Sequence, residues 1–236
     1  MEPITSSNFA VMKLEKVILA YGNKVVAKDI NAELLPGELV CLVGRNGAGK
    51  STLIKHILKM GDGISVEGYE SDKINADIAK IISVVLTDRI DIDRMTVRDI
   101  VAMGRMPYTG FFGKLSDEDE RIVSEAIETL SLHEFSNRQI NTLSDGERQK
   151  AIIAKALAQQ TPYILLDEPT AFLDYPSKVS TMQMLKKLCK ENNKAILIST
   201  HDLDIALQYC DKVWHMTDGT LKVVVEDFIE VKELRS

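Results

Sequence analysis

Three patterns of apolar and polar positions divide the chain. From about Met12 to Leu39, short runs such as KLEKVILAY and KDINAELL alternate apolar and polar residues around Tyr21-Gly22-Asn23. That alternation predicts antiparallel strands and hairpins. LVCLVG, YILLDE and KAILIST are different: short apolar runs that end in polar residues or a glycine turn, with amphipathic helical patterns between or after them. Strands buried on both faces look like this, so these runs predict a mostly parallel α/β sheet. From about Asp88 to Gln149 no comparable strand occurs, and successive helix starts take its place. TVRD at Thr96 and SDED at Ser116 match a capping box, and Ile122, Val123, Ala126, Ile127 and Leu130 share one helical face. This zone predicts a helical subdomain inserted into the α/β core. The end of the chain, KVWHMTDGTLKVVVEDF, predicts two strands joined at Asp218-Gly219 and then a short helix.

Composition narrows the function classes. The 236 residues suffice for one large or two small domains, and 45% of them are hydrophobic, enough to build a core. Asp plus Glu (35) exceed Lys plus Arg (29), for a formal charge of −6. Bulk electrostatics therefore disfavour acidic lipid and argue for no nucleic-acid partner. The three cysteines, Cys41, Cys189 and Cys210, are odd in number and unpatterned, which suits a reducing compartment better than a disulfide scaffold. Residues 1–10 lack the basic-then-apolar order of a signal peptide, and no apolar run approaches the roughly 20 residues of a spanning helix. The expectation is a soluble, cytoplasmic chain.

The chemistry begins at LVCLVGRNGAGKST, which satisfies G-x-x-x-x-G-K-[ST] between a strand pattern and a helical one carried by Leu53, Ile54, Ile57 and Leu58. Gly44, Arg45, Asn46, Gly47, Ala48 and Gly49 form a loop whose backbone N–H groups can wrap phosphates. Lys50 offers a charge to the outer phosphates, Ser51 a ligand to Mg2+, and Thr52 continues the helix start. YILLDEPT brings Asp167 and Glu168 to the C-terminal edge of a buried strand, where open α/β sheets hold their ligands. Asp167 suits Mg2+ through water, and Glu168 suits orienting or deprotonating the attacking water. ILISTHD repeats the design and ends at His201, able to donate to a γ-phosphate; His56, His133 and His215 carry no such placement and are read as structural.

LSDGERQK, about a hundred residues after the glycine-rich loop, starts another helix. Ser144 with Glu147 is itself a capping box, and Ser144 with the Gly146 N–H forms a second anion site. Two phosphate-binding surfaces so far apart in sequence are reconciled by a two-fold dimer, in which each subunit offers its second surface to its partner's nucleotide.

In this order the motifs resemble the ATP-binding subunits of ABC transporters, over nearly the whole chain. Gly44 to Thr52 resembles the Walker A motif, Leu143 to Glu147 (with Ser144, Asp145 and Gly146) the signature that contacts ATP across the dimer, and Tyr163 to Glu168 Walker B. Asp174 of AFLD resembles the D-loop aspartate, His201 the switch histidine, and Tyr21 the aromatic that stacks on adenine. The resemblance implies one domain over 1–236, with an ATPase core at about 1–87 and 150–236, a helical subdomain at about 88–149, and ATP and Mg2+ as ligands. VAMGRMPYTGFFGKLSDEDERIV and LSDGERQKAIIAKALAQ are similar to importers of iron–siderophore, haem or cobalamin. Such an importer implies a homodimer on the inner face of the membrane, integral permease subunits, and an extracytoplasmic substrate-binding protein. Tyr108, Phe111 and Phe112 are candidate permease contacts. A soluble ABC-type ATPase acting as an assembly or mechanical factor is the alternative. The chain departs from the family at two places: Asp145 stands where glycine is commonest, and Thr87 where the Q-loop usually carries glutamine.

Overall fold

The computed structural model describes residues 11–22, 24–69, 77–86, 94–110 and 113–225. The alternating N-terminal zone forms β1 (Met12–Tyr21) and β2 (Lys24–Leu34), paired antiparallel with Tyr21 opposite Lys24. β3 is Leu39–Val43 and leads into helix α1 (Lys50–Leu58). β4 (Ile64–Val66) returns to pair with β1, which completes a three-stranded antiparallel sheet in the order β2-β1-β4.

The continuous apolar runs form the second sheet. β5 (Ile82–Val85), β6 (Tyr163–Asp167), β7 (Ala195–Thr200), β8 (Lys212–Thr217) and β9 (Thr220–Val225) join β3 in the order β5-β6-β7-β3-β8-β9. All pairings are parallel except β8 with β9, which turn at Asp218 (φ 47°) and Gly219 (φ 72°). The sheet is apolar on both faces because a different core covers each. Leu39, Cys41 and Val43 pack into one cluster with the helices, whereas Val40 and Leu42 pack into another with α1 and the antiparallel sheet. Leu53, Ile54 and Ile57 of α1 are fully buried in that second cluster, each contributing about 1.5–3 kcal/mol.

The helical zone holds α2 (Val97–Ala102), a 3₁₀ helix at Met103–Tyr108, α3 (Asp117–Thr129) and α4 (Asp145–Ala158). Thr96 with Asp99, and Ser116 with Asp119, both form the reciprocal capping boxes that the spacing predicts. The predicted face of α3, Ile122 to Leu130, is buried. Arg105 ties the layer together: its Nε donates to Asp119 Oδ1 at 2.8 Å and its Nη1 to the Ala158 carbonyl at 2.8 Å. The Ser116 hydroxyl, then the Ser116 backbone N–H and Arg105, hold the Asp119 carboxyl down at about 2. At Gly104 an added Cβ would come within 2.3 Å of the Lys155 carbonyl, so only glycine allows the 3₁₀ helix this close to α4. α5 (Tyr175–Asn192) and α6 (Leu203–Tyr209) follow β6 and β7.

The cysteines need a correction. Cys41 of β3 and Cys210, at the end of α6, form a disulfide with Cα atoms 6.0 Å apart, and Cys189 is the free, buried thiol. The partners lie 169 residues apart, and no spacing rule reveals a pair that only the sheet order assembles. The helix expected after β9 lies outside the described residues.

Candidate nucleotide site

β3, β6 and β7 are neighbours and run parallel, so their C-terminal ends meet at one sheet edge. β3 releases the chain into the glycine-rich loop, β6 ends at Asp167 with Glu168 next, and β7 ends one residue before His201. The loop is tight, with Ala48 N–H donating to the Arg45 carbonyl at 3.1 Å. Gly47 and Gly49 take φ values of 82° and 107°, which favour glycine. An added Cβ on Gly49 would also approach Val26 Cγ1 to 2.7 Å, whereas one on Gly47 meets nothing within 4 Å because that backbone faces open space.

Lys50 is buried, and its ammonium donates to the Gly44 carbonyl at 2.9 Å and the Arg45 carbonyl at 3.4 Å. The same Nζ lies 3.7 Å from Glu168 Oε1, while His201 Nδ1 lies 3.5 Å from Glu168 Oε2. Glu168 thus stands between the loop lysine and the histidine that follows β7, one oxygen toward each. A cavity of about 640 Å³ opens beside them, lined by the loop from Asn46 to Thr52, by Glu168, and by Tyr21. Tyr21 is 79% exposed, which leaves its ring surface available for a flat aromatic ligand.

Backbone N–H groups at a helix start, a buried ammonium and an exposed aromatic are the donor set of a nucleoside polyphosphate site. The hydroxyl of Ser51 and the carboxylate of Asp167 are hard oxygen donors, as Mg2+ requires. Among the described residues no three His, Cys, Asp or Glu side chains gather into a metal cage. Mg2+ commonly takes one or two protein oxygens and completes its shell with phosphates and water.

Ser144, Asp145, Gly146 and Glu147 lie elsewhere, and none of them lines the cavity. Ser144 caps α4: its hydroxyl accepts from Glu147 N–H at 3.3 Å and donates to Glu147 Oε2 at 2.7 Å. Those bonds hold the Glu147 carboxyl below its ordinary value. Asp174 caps α5 by accepting from Ser177 N–H at 3.0 Å, and the Ser177 hydroxyl, then that N–H, hold its carboxyl low. A Cβ on Gly146 would lie 3.8 Å from Ser177 Oγ, so the starts of α4 and α5 adjoin in one subunit. Tyr108 is 39% exposed, donates its hydroxyl to the Gln159 carbonyl at 2.9 Å, and stacks on Arg105. It therefore packs the helical zone and still shows an edge to solvent. Thr87, Phe111 and Phe112 lie outside the described residues.

Sequence reasoning missed three contributors. Ser199, on β7, bonds both Asp167 and the backbone of Glu168. Lys24 of β2 and the Asp218-Gly219 turn also line the cavity, and Gly219 accepts from Lys28 N–H at 3.0 Å. The turn itself was legible as Asp-Gly; its position beside Tyr21 was not.

Residues 27–171 match the family model described as ABC transporter. The chain is 42% identical over 208 residues to an ABC transporter ATP-binding protein of Methanocaldococcus jannaschii, covering 86% of this chain and 72% of that one. It is 34% identical over 215 residues to the iron(3+)-hydroxamate import ATP-binding protein FhuC of Bacillus subtilis, covering 89% and 80%. Further relatives are named petrobactin and cobalamin import ATP-binding proteins. Among solved structures, the dimeric post-hydrolysis state of the ATP-binding cassette MJ0796, bound to ADP and Pi, superposes with a TM-score of 0.73 at 28% identity, covering 91% of this chain and 98% of that one. A family match over more than half of the chain, on a fold that gathers the loop lysine, the two carboxylates and the histidine at one edge, places this protein in the ABC transporter family as an ATP-binding, ATP-hydrolysing member.

Proposed function

We propose that the chain drives an importer as a homodimer closing around two Mg-ATP, with integral permease subunits forming the path through the membrane. The observation that carries this reading is the division of the site. Lys50, Glu168 and Tyr21 line one cavity, with His201 3.5 Å from the Glu168 carboxylate, while the Ser144 helix start stands outside that lining. A second copy related by a two-fold axis supplies the missing wall. In this assignment Ser51 and, through water, Asp167 would hold Mg2+, which would supply charge neutralisation at the phosphates. Glu168 orients the attacking water and His201 contacts the γ-phosphate. The loop from Gly44 to Thr52 binds phosphate, Tyr21 stacks on the base, and Ser144 to Glu147 together with Asp174 line the dimer face.

We assign one domain to 1–236, its helical part at about 88–149, with Tyr108 facing the permease. No described helix is long and apolar enough to cross a membrane, so anchorage on the inner face comes through the permease. The cargo class is an iron–siderophore, haem or cobalamin, supported by the names of relatives in iron(3+)-hydroxamate, petrobactin and cobalamin import. An extracytoplasmic binding protein belongs to such a system, and the acidic balance argues against nucleic acid.

The test is purification of the tagged chain from detergent-solubilised membranes of its own host, with uptake assays on a deletion strain. Recovery with an integral permease, and loss of iron(3+)-hydroxamate or cobalamin uptake on deletion, is expected. A fully active soluble enzyme with no membrane partner and normal uptake in the deletion strain would instead support an assembly or mechanical factor.

A further inference from the structure

We propose that Ser199 is a positioning residue for hydrolysis, one that locks the two carboxylates at the end of β6 to the strand carrying His201. The proposal rests on the assignment of Asp167 to the metal's water and Glu168 to the attacking water. Ser199 is fully buried, directly across the β6–β7 pairing from Asp167. Its Oγ accepts the Glu168 backbone N–H at 2.9 Å and donates to Asp167 Oδ1 at 2.5 Å. The sense of this relay follows from chemistry: an amide N–H only donates, an ionised carboxylate only accepts, and a hydroxyl does both through one atom. Successive bonds of this kind polarise one another in a low-dielectric interior.

The backbone of Glu168 shows why such a bond matters. Glu168 sits at φ 48°, in the left-handed region, immediately before Pro169. A non-glycine residue is strained there, and a residue preceding proline normally stays extended. Strain of this kind persists only where the surroundings hold it. Ser199 grips Glu168 by its N–H, and His201, two residues further on, faces its carboxylate at 3.5 Å. The end of β7 and the residue after it therefore meet both ends of Glu168. Without the Ser199 hydroxyl, Glu168 can relax toward extended backbone, which carries its carboxylate away from Lys50, now 3.7 Å distant.

Three variants test this: Ser199→Ala removes the relay, Ser199→Cys keeps the volume with a much weaker donor and acceptor, and Ser199→Thr retains the hydroxyl. Expected for Ser199→Ala and Ser199→Cys is a kcat about 10- to 100-fold lower, the range for losing a hydrogen bond to a charged group. ATP affinity measured calorimetrically in EDTA, where Asp167 has no metal to serve, should stay within about twofold, and the Mg2+ concentration that half-saturates ATP binding should rise. Ser199→Thr should recover most of the rate. The proposal is overturned if Ser199→Cys folds and keeps the parental kcat and Mg2+ dependence, or if ATP affinity in EDTA and thermal stability fall in step with kcat for all three variants. A Glu168→Gln control separates the levels: parental turnover there sinks the assignment of Glu168 itself, whereas loss there with parental turnover in Ser199→Cys sinks only the role of Ser199.

Discussion

Gly49 and Ser144 both stand at the N-cap of a helix, and their neighbourhoods differ in the property that decides anion binding. α1 begins on a glycine in the left-handed region, with no side-chain cap and no acidic residue in its first turn. Its N–H groups and partial positive charge are directed to whatever anion fills the adjoining cavity. α4 begins on a serine engaged in a full capping box, with Asp145 and Glu147 in its first turn. Its dipole is already answered by its own side chains. One helix start is therefore incomplete without a ligand, and the other is complete within its subunit. Both carry a glycine and a hydroxyl residue, so the lesson is that what fills the first turn, more than the motif, distinguishes a helix start left open to an anion from one already answered within its own subunit.

The comparison is tested most severely at the cavity. Glu168→Gln keeps the shape of the group and removes its basicity, so ATPase turnover is expected to fall by about 10²–10⁴ while ATP still binds. Size-exclusion chromatography in Mg-ATP should then show an accumulated dimer; a purely monomeric protein, or one with parental turnover, contradicts the assignment. Next in size is Ser144→Arg, which should lower turnover at least about 100-fold yet leave monomer affinity for ATP within about twofold. Equal losses of binding and turnover would mean that the α4 start serves its own nucleotide or simply holds the fold. Asp145→Asn, which removes one carboxylate from the first turn of α4, should strengthen the ATP-dependent dimer about two- to fivefold in sedimentation measurements, the scale of one charge at a helix N-terminus. No change, or weakening, would show that this carboxylate does not meet the partner's phosphates. The smallest effect is expected at Thr87, whose side chain is too short for the reach of a glutamine amide. Thr87→Ala should alter basal ATPase by less than roughly threefold, under about 0.7 kcal/mol, and a hundredfold loss would give threonine a catalytic duty.

Much of this architecture is readable along the chain because it is local. A capping box is a matter of three residues' spacing, and Thr96, Ser116 and Ser144 all form theirs. The Asp218-Gly219 turn takes the positive φ values that its residue types favour, and the strands of LVCLVG, YILLDE and KAILIST lie where continuous apolar runs placed them. The glycine-rich loop and the residues ending β6 and β7 were visible for the same reason. What the chain conceals is adjacency created by sheet order.

Ser199 in an apolar run reads as one more strand residue. Only the parallel register that sets Asp167 opposite it brings its hydroxyl to the Asp167 carboxylate and the Glu168 backbone. Tyr21 shares a cavity with Asp218-Gly219, nearly two hundred residues later, because β2 packs beside the β8–β9 turn. Cys41 meets Cys210 because β3 lies between β7 and β8, so the link that feeds β8 returns alongside it. The amino-acid sequence by itself determined the elements, their caps and the chemistry at each strand end, since side-chain pattern and turn conformation act over a few residues. The tertiary structure alone decided which of those ends share a hydrogen bond, because burying both faces of the central sheet imposes a strand order that chain order does not contain.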